Sequence, residues 1–168
     1  LCGNNGTDGE LWFSVTNYGN SASGGVYNFQ IGTGGWTTTI RTTGSAANKL
    51  RQWIHLAVTC RDVSGTRTIN IWENGTSVAS GTTTVNIPNT NSQLSFLGRP
   101  QTYGQYATGY MHDVRVTKGS ALYTSSFTPS ANFLESGSNT VLLSLRNAIL
   151  SDESDTVADG VVAAGDPS

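Results

Sequence analysis

The chain has 168 residues, of which 12% are charged, and its formal net charge is -2. Its nine lysines and arginines are scattered along the sequence, which argues against nucleic acid as a partner. No apolar run approaches the roughly 18 residues of a membrane-spanning helix, so we expect no membrane span.

The first part of the chain contains three short segments with the period-2 alternation that is typical of β-strands. In the second of them, Tyr27, Phe29 and Ile31 occupy alternate positions. Glycine and serine lie between the segments and favour turns. The predicted strands cover residues 10–17, 26–31 and 36–41.

The most apolar predicted strand covers residues 53–60, and its even-numbered positions from Ile54 to Cys60 share one face. We therefore expect Cys60 to be a free, buried thiol that behaves as a small hydrophobic residue. Cys2 is the other cysteine, and a disulfide between the two is the alternative. Two cysteines are too few for the disulfide framework of a small secreted domain.

A β-hairpin follows this strand. A strand over residues 67–73 would direct Ile69 and Ile71 inward, and Asn74 and Gly75 come directly after it. Both turn residues tolerate positive φ, so the pair predicts a type I′ turn and a return strand.

Further strands are predicted in the second half of the chain. Tyr110, His112, Val114 and Val116 share one face of the longest of them. Antiparallel pairing of such strands predicts an all-β, two-sheet sandwich. The later segments are a short strand at residues 93–97, a strand at residues 110–117 and an apolar run at residues 141–145 that is either a last strand or the start of a following unit.

Two stretches of sequence carry a family resemblance. Residues 53–59 (Trp-Ile-His-Leu-Ala-Val-Thr) and, after a loop, residues 69–81 (Ile-Asn-Ile-Trp-Glu-Asn-Gly-Thr-Ser-Val-Ala-Ser-Gly) resemble the laminin-G-like, concanavalin A-like jelly-roll domains. Residues 109–119 and a Tyr-x-x-x-Phe-x-Pro motif at residues 123–129 resemble the closing strand of the versions found in tail-fibre and virion structural proteins of marine bacteriophages.

The resemblance implies a concanavalin A-like jelly roll over residues 1–135, followed by residues 136–168 as a linker with a terminal strand or the start of another unit. The family's opening strand is not visible before Leu1, which predicts a sandwich that begins one strand late or is completed by a neighbour. Glu73 stands where the family usually has an apolar residue, and His112 stands where it often has Asp. Binding of glycan or protein at the sandwich rim, sometimes with calcium, is implied as well.

The acidic residues do not form a glycosidase pattern. A retaining glycosidase needs two carboxyl groups about 5 Å apart, but Glu10, Glu73 and Glu135 are isolated in sequence. His55 and His112 both lie inside strand motifs, so a catalytic triad has no support either, and His55 is expected to be structural. We expect the protein not to be an enzyme.

Metal binding is weakly indicated. Calcium needs six to eight oxygen ligands, and Asp113, Asp152 and Asp155 are the weak candidates. For Asp113 the simpler prediction is an ion pair with Arg115 or a hydrogen bond to a neighbouring loop. No cofactor is expected, with calcium left open.

Aromatic rings beside amide side chains predict a sugar-binding surface, because a ring face can cover the apolar side of a pyranose. The predicted ligand-binding residues are Tyr103, Tyr106, Gln101, Gln105, Trp72 and Trp12. The two tryptophans lie opposite the apolar positions of their strands, and packing against the sheet is the alternative for each. The other four residues belong to one loop, which could equally contact protein.

The leading hypothesis is a non-enzymatic adhesion or receptor-binding module of a virion or tail-fibre-like protein, located at the virion surface or outside the cell, that recognises host-surface glycan. The alternative is a purely structural virion protein, such as a capsid decoration or fibre subunit. That protein would bind neighbouring virion chains, with a homo-oligomer within a larger assembly as one arrangement.

Overall fold

The computed structural model describes residues 10–16, 26–32, 36–41, 52–85 and 110–146, and within the first three ranges it describes the side chains of residues 13, 27–31 and 40. Every regular element in these ranges is a β-strand. None of the described segments forms a helix long and apolar enough to cross a membrane. The chain divides into a first unit, with the described residues up to 85 plus 125–128, and a second unit, with residues 110–124 and 129–146.

Within the described ranges, eight strands form three antiparallel sheets. In the first unit, one sheet has the order β1-β2-β3 and another has the order β4-β5-β6, and in the second unit β7 pairs with β8. The strands are β1 Glu10–Thr16, β2 Val26–Gly32, β3 Trp36–Arg41, β4 Leu56–Val63, β5 Thr66–Glu73, β6 Thr76–Thr83, β7 Val114–Thr117 and β8 Thr140–Ser144. The all-β, antiparallel prediction is confirmed.

The core of the first unit lies between its two sheets. Tyr27, Phe29 and Ile31 project from β2, and Ile69 and Ile71 project from β5, so that the central strands of the two sheets pack together. All five side chains are at most 2% exposed, and burying each one stabilises the fold by about 1.5–3 kcal/mol. The predicted alternation therefore produces the two layers of a sandwich.

Both hairpins of the β4-β5-β6 sheet turn through residues with positive φ. Asn74 (φ 49°) and Gly75 (φ 81°) form the predicted turn between β5 and β6. Ser64 (φ 54°) and Gly65 (φ 81°) form a second turn of the same kind between β4 and β5, where Asp62 Oδ1 accepts a hydrogen bond from the Gly65 N–H. Positive φ at both central residues matches the right-handed twist of the paired strands.

The closing strand is shorter than predicted. We expected a strand over residues 110–117, but β7 begins at Val114. Asp113 has φ 60°, a left-handed conformation that interrupts the extended backbone. The alternation therefore does not extend to Tyr110, which is 93% exposed, or to His112, which is also exposed.

The apolar run near residue 141 is a strand, β8, that pairs antiparallel with β7. Leu143 is fully buried, and the positive φ of Leu145 (62°) follows the end of the strand. The apolar run therefore pairs with β7, the closing strand of the family motif. The division of the chain at residue 135 stays a prediction, and the predicted strand at residues 93–97 lies outside the described residues.

Candidate functional site

Most of the predicted ligand-binding residues lie outside the described part of the chain. Trp12 is placed by its backbone alone, in β1 opposite Gln30, and its side chain is not described. Its role, and those of the loop and tail residues, stay predictions. The residues outside the described ranges are Gln101, Tyr103, Gln105, Tyr106, Asp152 and Asp155.

Trp72 is a packing residue. Its side chain is 3% exposed, its indole Nε1–H donates a 2.8 Å hydrogen bond to Thr59 Oγ1, and its ring meets Phe127 at a centroid distance of 5.8 Å. A buried ring with a satisfied N–H offers no free face to a sugar. We therefore correct the ligand-binding prediction for Trp72 in favour of the packing alternative.

Phe127 belongs to the Tyr-x-x-x-Phe-x-Pro motif and contacts the turn between β5 and β6. The Phe127 N–H donates to the Gly75 carbonyl oxygen at 3.0 Å, and its ring lies edge-on to His55 at 5.5 Å. The backbone of His55 also exchanges hydrogen bonds with Asn74, whose Oδ1 accepts from the His55 N–H at 3.0 Å. His55 thus makes structural contacts, as expected.

Glu73 is buried between the two sheets. It is 8% exposed and accepts a 2.6 Å hydrogen bond from the Tyr27 hydroxyl. Burial first, and then the hydrogen bond and the charge of Glu73, raise the pKa of Tyr27. A buried carboxylate needs such a partner, so Tyr27 accommodates the acidic residue at a position where the family usually has an apolar one.

Asp113 links separate segments of the second unit. Its Oδ2 accepts a 2.6 Å hydrogen bond from the Leu134 N–H, which confirms the predicted bond to a neighbouring loop. Its ion-pair partner is Arg146, at 3.9 Å between Nε and Oδ1, so the predicted pairing with Arg115 is wrong. Arg146 also lies over the Phe133 ring at 5.4 Å.

No group of three or more His, Cys, Asp or Glu side chains converges among the described residues. Asp113, the weak metal candidate within these residues, directs one carboxylate oxygen to a backbone N–H and the other toward Arg146. Those contacts belong to a structural role, and calcium binding by the chain stays a prediction.

The second unit also contains a cleft of about 280 Å³ that the sequence did not indicate. We call it the polar cleft. Arg115 lies at its edge on β7, Leu122 lies on the following loop, and Glu135 and Asn139 belong to the segment that leads into β8. The residues that line the cleft are far apart in sequence, so no sequence motif contains them all.

A comparison with family models matches residues 3–123 to the model described as the concanavalin A-like lectin/glucanases superfamily. The match covers most of the chain and includes strands β1 to β7. The chain belongs to this superfamily. Searches of curated proteins and of solved structures gave no significant match.

Members of the concanavalin A-like lectin/glucanases superfamily are often carbohydrate-binding domains. The two packed sheets of the first unit are the antiparallel sandwich expected of this superfamily. The match ends at residue 123, whereas Glu135 and Asn139 of the polar cleft come after that point. One wall of the cleft therefore lies beyond the part of the chain that the superfamily model describes.

Proposed function

We propose that the protein is a non-enzymatic adhesion module that binds host-surface glycan, as part of a virion or tail-fibre-like protein exposed at the virion surface or outside the cell. Membership of the concanavalin A-like lectin/glucanases superfamily carries this proposal. The resemblance of residues 109–119 to closing strands of bacteriophage tail-fibre proteins supports the virion context.

Among the described residues, Glu73 is the one carboxylate buried between the sheets, and its contacts fit binding without catalysis. Glu73 is engaged by the Tyr27 hydroxyl inside the core, where it contributes to packing. Incubation of the protein with a panel of polysaccharides, followed by measurement of new reducing ends, should show no turnover. Turnover that is lost in a Glu73→Gln variant would overturn this part of the proposal.

A glycan array tests the binding proposal. The full chain is applied with calcium and with a chelator, beside a Tyr103→Ala/Tyr106→Ala variant and a Tyr110→Ala control. Tyr110 is 93% exposed and was not assigned to ligand binding, so its removal provides a matched loss of tyrosine. Saturable binding that the double variant loses and the control retains supports the proposal. Absence of binding by a folded sample contradicts it.

The alternative function is a structural virion protein that binds neighbouring chains. Exposed aromatic side chains among the described residues favour it, namely Trp53 at 73%, Tyr110 at 93% and Phe133 at 52% exposed, since aromatic residues are enriched where protein chains meet. Light scattering coupled to size-exclusion chromatography separates the two functions. A stable oligomer that dissociates in a Trp53→Ser variant and binds no glycan would favour the structural role.

A further inference from the structure

We propose that the polar cleft is a subsite for one neutral sugar unit with neighbouring hydroxyl groups. This inference rests on the proposed glycan binding and adds to it a separate subsite in the second unit. It involves residues of the described structure that the sequence-based prediction did not include, chiefly Arg115, Leu122, Glu135 and Asn139.

The size of the cleft favours a single sugar ring. Its volume is about 280 Å³, whereas pockets for drug-sized ligands occupy roughly 300–1,000 Å³. One monosaccharide unit fits a space at this lower limit, and the open side allows a longer glycan to continue into solvent.

Arg115 supplies hydrogen-bond donors in a fixed orientation. One Nη1–H donates to the Glu135 carbonyl oxygen at 3.2 Å and one Nη2–H donates to the Tyr123 hydroxyl at 3.3 Å. A guanidinium has five N–H donors, so three remain after these two bonds. Because the two bonds hold the planar group in place, a ligand that accepts from it loses little side-chain entropy on binding.

Glu135 supplies the acceptors. Its side chain is exposed, and its carboxylate makes no hydrogen bond or ion pair with another described residue. Two carboxylate oxygens can accept from two adjacent hydroxyl groups, and such charge-assisted bonds are stronger than neutral ones. Since Arg115 binds the backbone carbonyl of Glu135, the donors lie beside the residue that carries the acceptors.

The remaining wall is preorganised and partly apolar. The Thr140 N–H donates to the Gly137 carbonyl oxygen at 2.8 Å, and the Lys118 N–H donates to the Asn139 carbonyl oxygen at 2.8 Å. Leu122 is 47% exposed at the cleft and offers apolar surface to the C–H groups of a sugar. An apolar wall with a few convergent polar groups is the usual composition of a ligand pocket.

The charges of the cleft favour a neutral ligand over an acidic one. Arg115 and Glu135 contribute one positive and one negative charge to the lining, so a sugar carboxylate would gain an attraction and a repulsion of similar size. Hydroxyl groups can accept from the first residue and donate to the second without this conflict.

Nuclear magnetic resonance titration of the ¹⁵N-labelled full chain tests the subsite. The probes are the methyl α-glycosides of mannose, glucose and galactose at millimolar concentration, with glucuronate as the acidic comparison. At least one neutral probe should shift backbone amide signals of residues 117–122 and 135–140 in a saturable way. Shifts produced by glucuronate alone, or none at these residues, would overturn the inference.

Two variants of the cleft and one control variant test whether the sugar binds in the cleft. Glu135→Gln removes the carboxylate without changing its size and should raise the Kd roughly tenfold, as expected for the loss of a charged hydrogen bond. Asn139→Ala tests the same wall independently. Asp62→Asn makes the same charge change on the first unit and should leave the Kd unchanged. Equal affinity in Glu135→Gln and the parent protein would contradict the proposal.

The glycan array and the titration test different claims, so a negative result in one does not imply a negative result in the other. Array binding without saturable shifts at residues 117–122 and 135–140 rejects the cleft and leaves glycan binding in place. Shifts at these residues that Glu135→Gln weakens support the cleft, whether or not the array contains a suitable glycan. Absence of both kinds of binding in a folded sample rejects the inference and the proposed function together.

Discussion

The Tyr27 hydroxyl donates a 2.6 Å hydrogen bond to a carboxylate oxygen of Glu73, and this bond joins the two sheets of the first unit. The partners are 46 residues apart in sequence. Tyr27 is 1% exposed and Glu73 is 8% exposed, so the polar contact lies inside the apolar core. It allows an acidic side chain to be buried there at low cost.

Replacement of Tyr27 by Phe should lower the free energy of unfolding by about 1–3 kcal/mol, because a buried carboxylate loses a donor. Urea denaturation at neutral pH measures the effect. Glu73→Gln retains an oxygen that accepts from Tyr27 and should cost less. Equal stability of the parent protein and Tyr27→Phe would show that the bond makes no net contribution.

The same pair predicts a loss of stability in alkali. The pKa of Tyr27 is raised above its ordinary value of 10.0 by burial and by Glu73. An unfolded chain releases this proton near the ordinary pKa while the folded chain keeps it. The stabilisation is therefore complete below about pH 10 and decreases as the pH rises further. Denaturation curves across this range should show a steeper decline for the parent protein than for Tyr27→Phe, and parallel declines would contradict the assignment.

Thr59 satisfies the buried indole N–H of Trp72. Thr59→Val keeps the shape of the side chain but removes the acceptor, so unfolding should become easier by about 1–3 kcal/mol. Thr59→Ser keeps the oxygen and is the matched control. Chemical denaturation followed by circular dichroism compares the two, and a larger loss in the serine variant would mean that the methyl group matters more than the hydrogen bond.

Phe127 packs against His55 and Trp72. Phe127→Ala should destabilise the protein by about 2–3 kcal/mol, somewhat below the usual cost in a full core because this side chain is half-buried. Tyr110→Ala removes an aromatic group that is 93% exposed and should change stability by no more than about 0.5 kcal/mol. Similar melting temperatures for Phe127→Ala and the parent protein would refute this anchoring role.

Cys60 is a free, half-buried thiol, and burial raises its pKa, with a smaller opposing effect from Arg67 and a raising effect from Asp62. The thiolate is the reactive form, so Cys60 should react slowly with iodoacetamide at mildly alkaline pH. A Cys2→Ser background isolates this thiol for mass spectrometry. Labelling should accelerate strongly in urea, and equal rates in the folded and unfolded protein would contradict the prediction.

Strand positions in the first unit were predictable because their causes are local. Alternation around Tyr27 and around Ile69 identified β2 and β5, and the Asn74-Gly75 pair identified the turn that follows β5. β4 was less accurate, since it begins at Leu56 rather than at residue 53. Residues before Leu56 share the apolar pattern but lack strand pairing, which periodicity alone does not reveal.

The second unit was harder to predict. Asp113 interrupts the predicted alternation with a left-handed backbone and pairs with Arg146 rather than with the nearby Arg115. Arg115 instead contacts Tyr123 and the backbone of Glu135, and so forms one edge of the polar cleft. These partners are separated by 8 to 33 residues, and no motif in the sequence specifies them.

By itself, the sequence determined the all-β class and most strand positions, because side-chain alternation and turn chemistry act between neighbouring residues. The superfamily was indicated by the resemblance of residues 53–59, 69–81 and 109–119 to its motifs. Tertiary structure decided which distant side chains meet. It paired Tyr27 with Glu73, covered Trp72 with Phe127 and brought Glu135 to Arg115. The physical reason is that such contacts depend on how separate strands and loops pack, and burial then requires each polar group to find a partner wherever the fold places one.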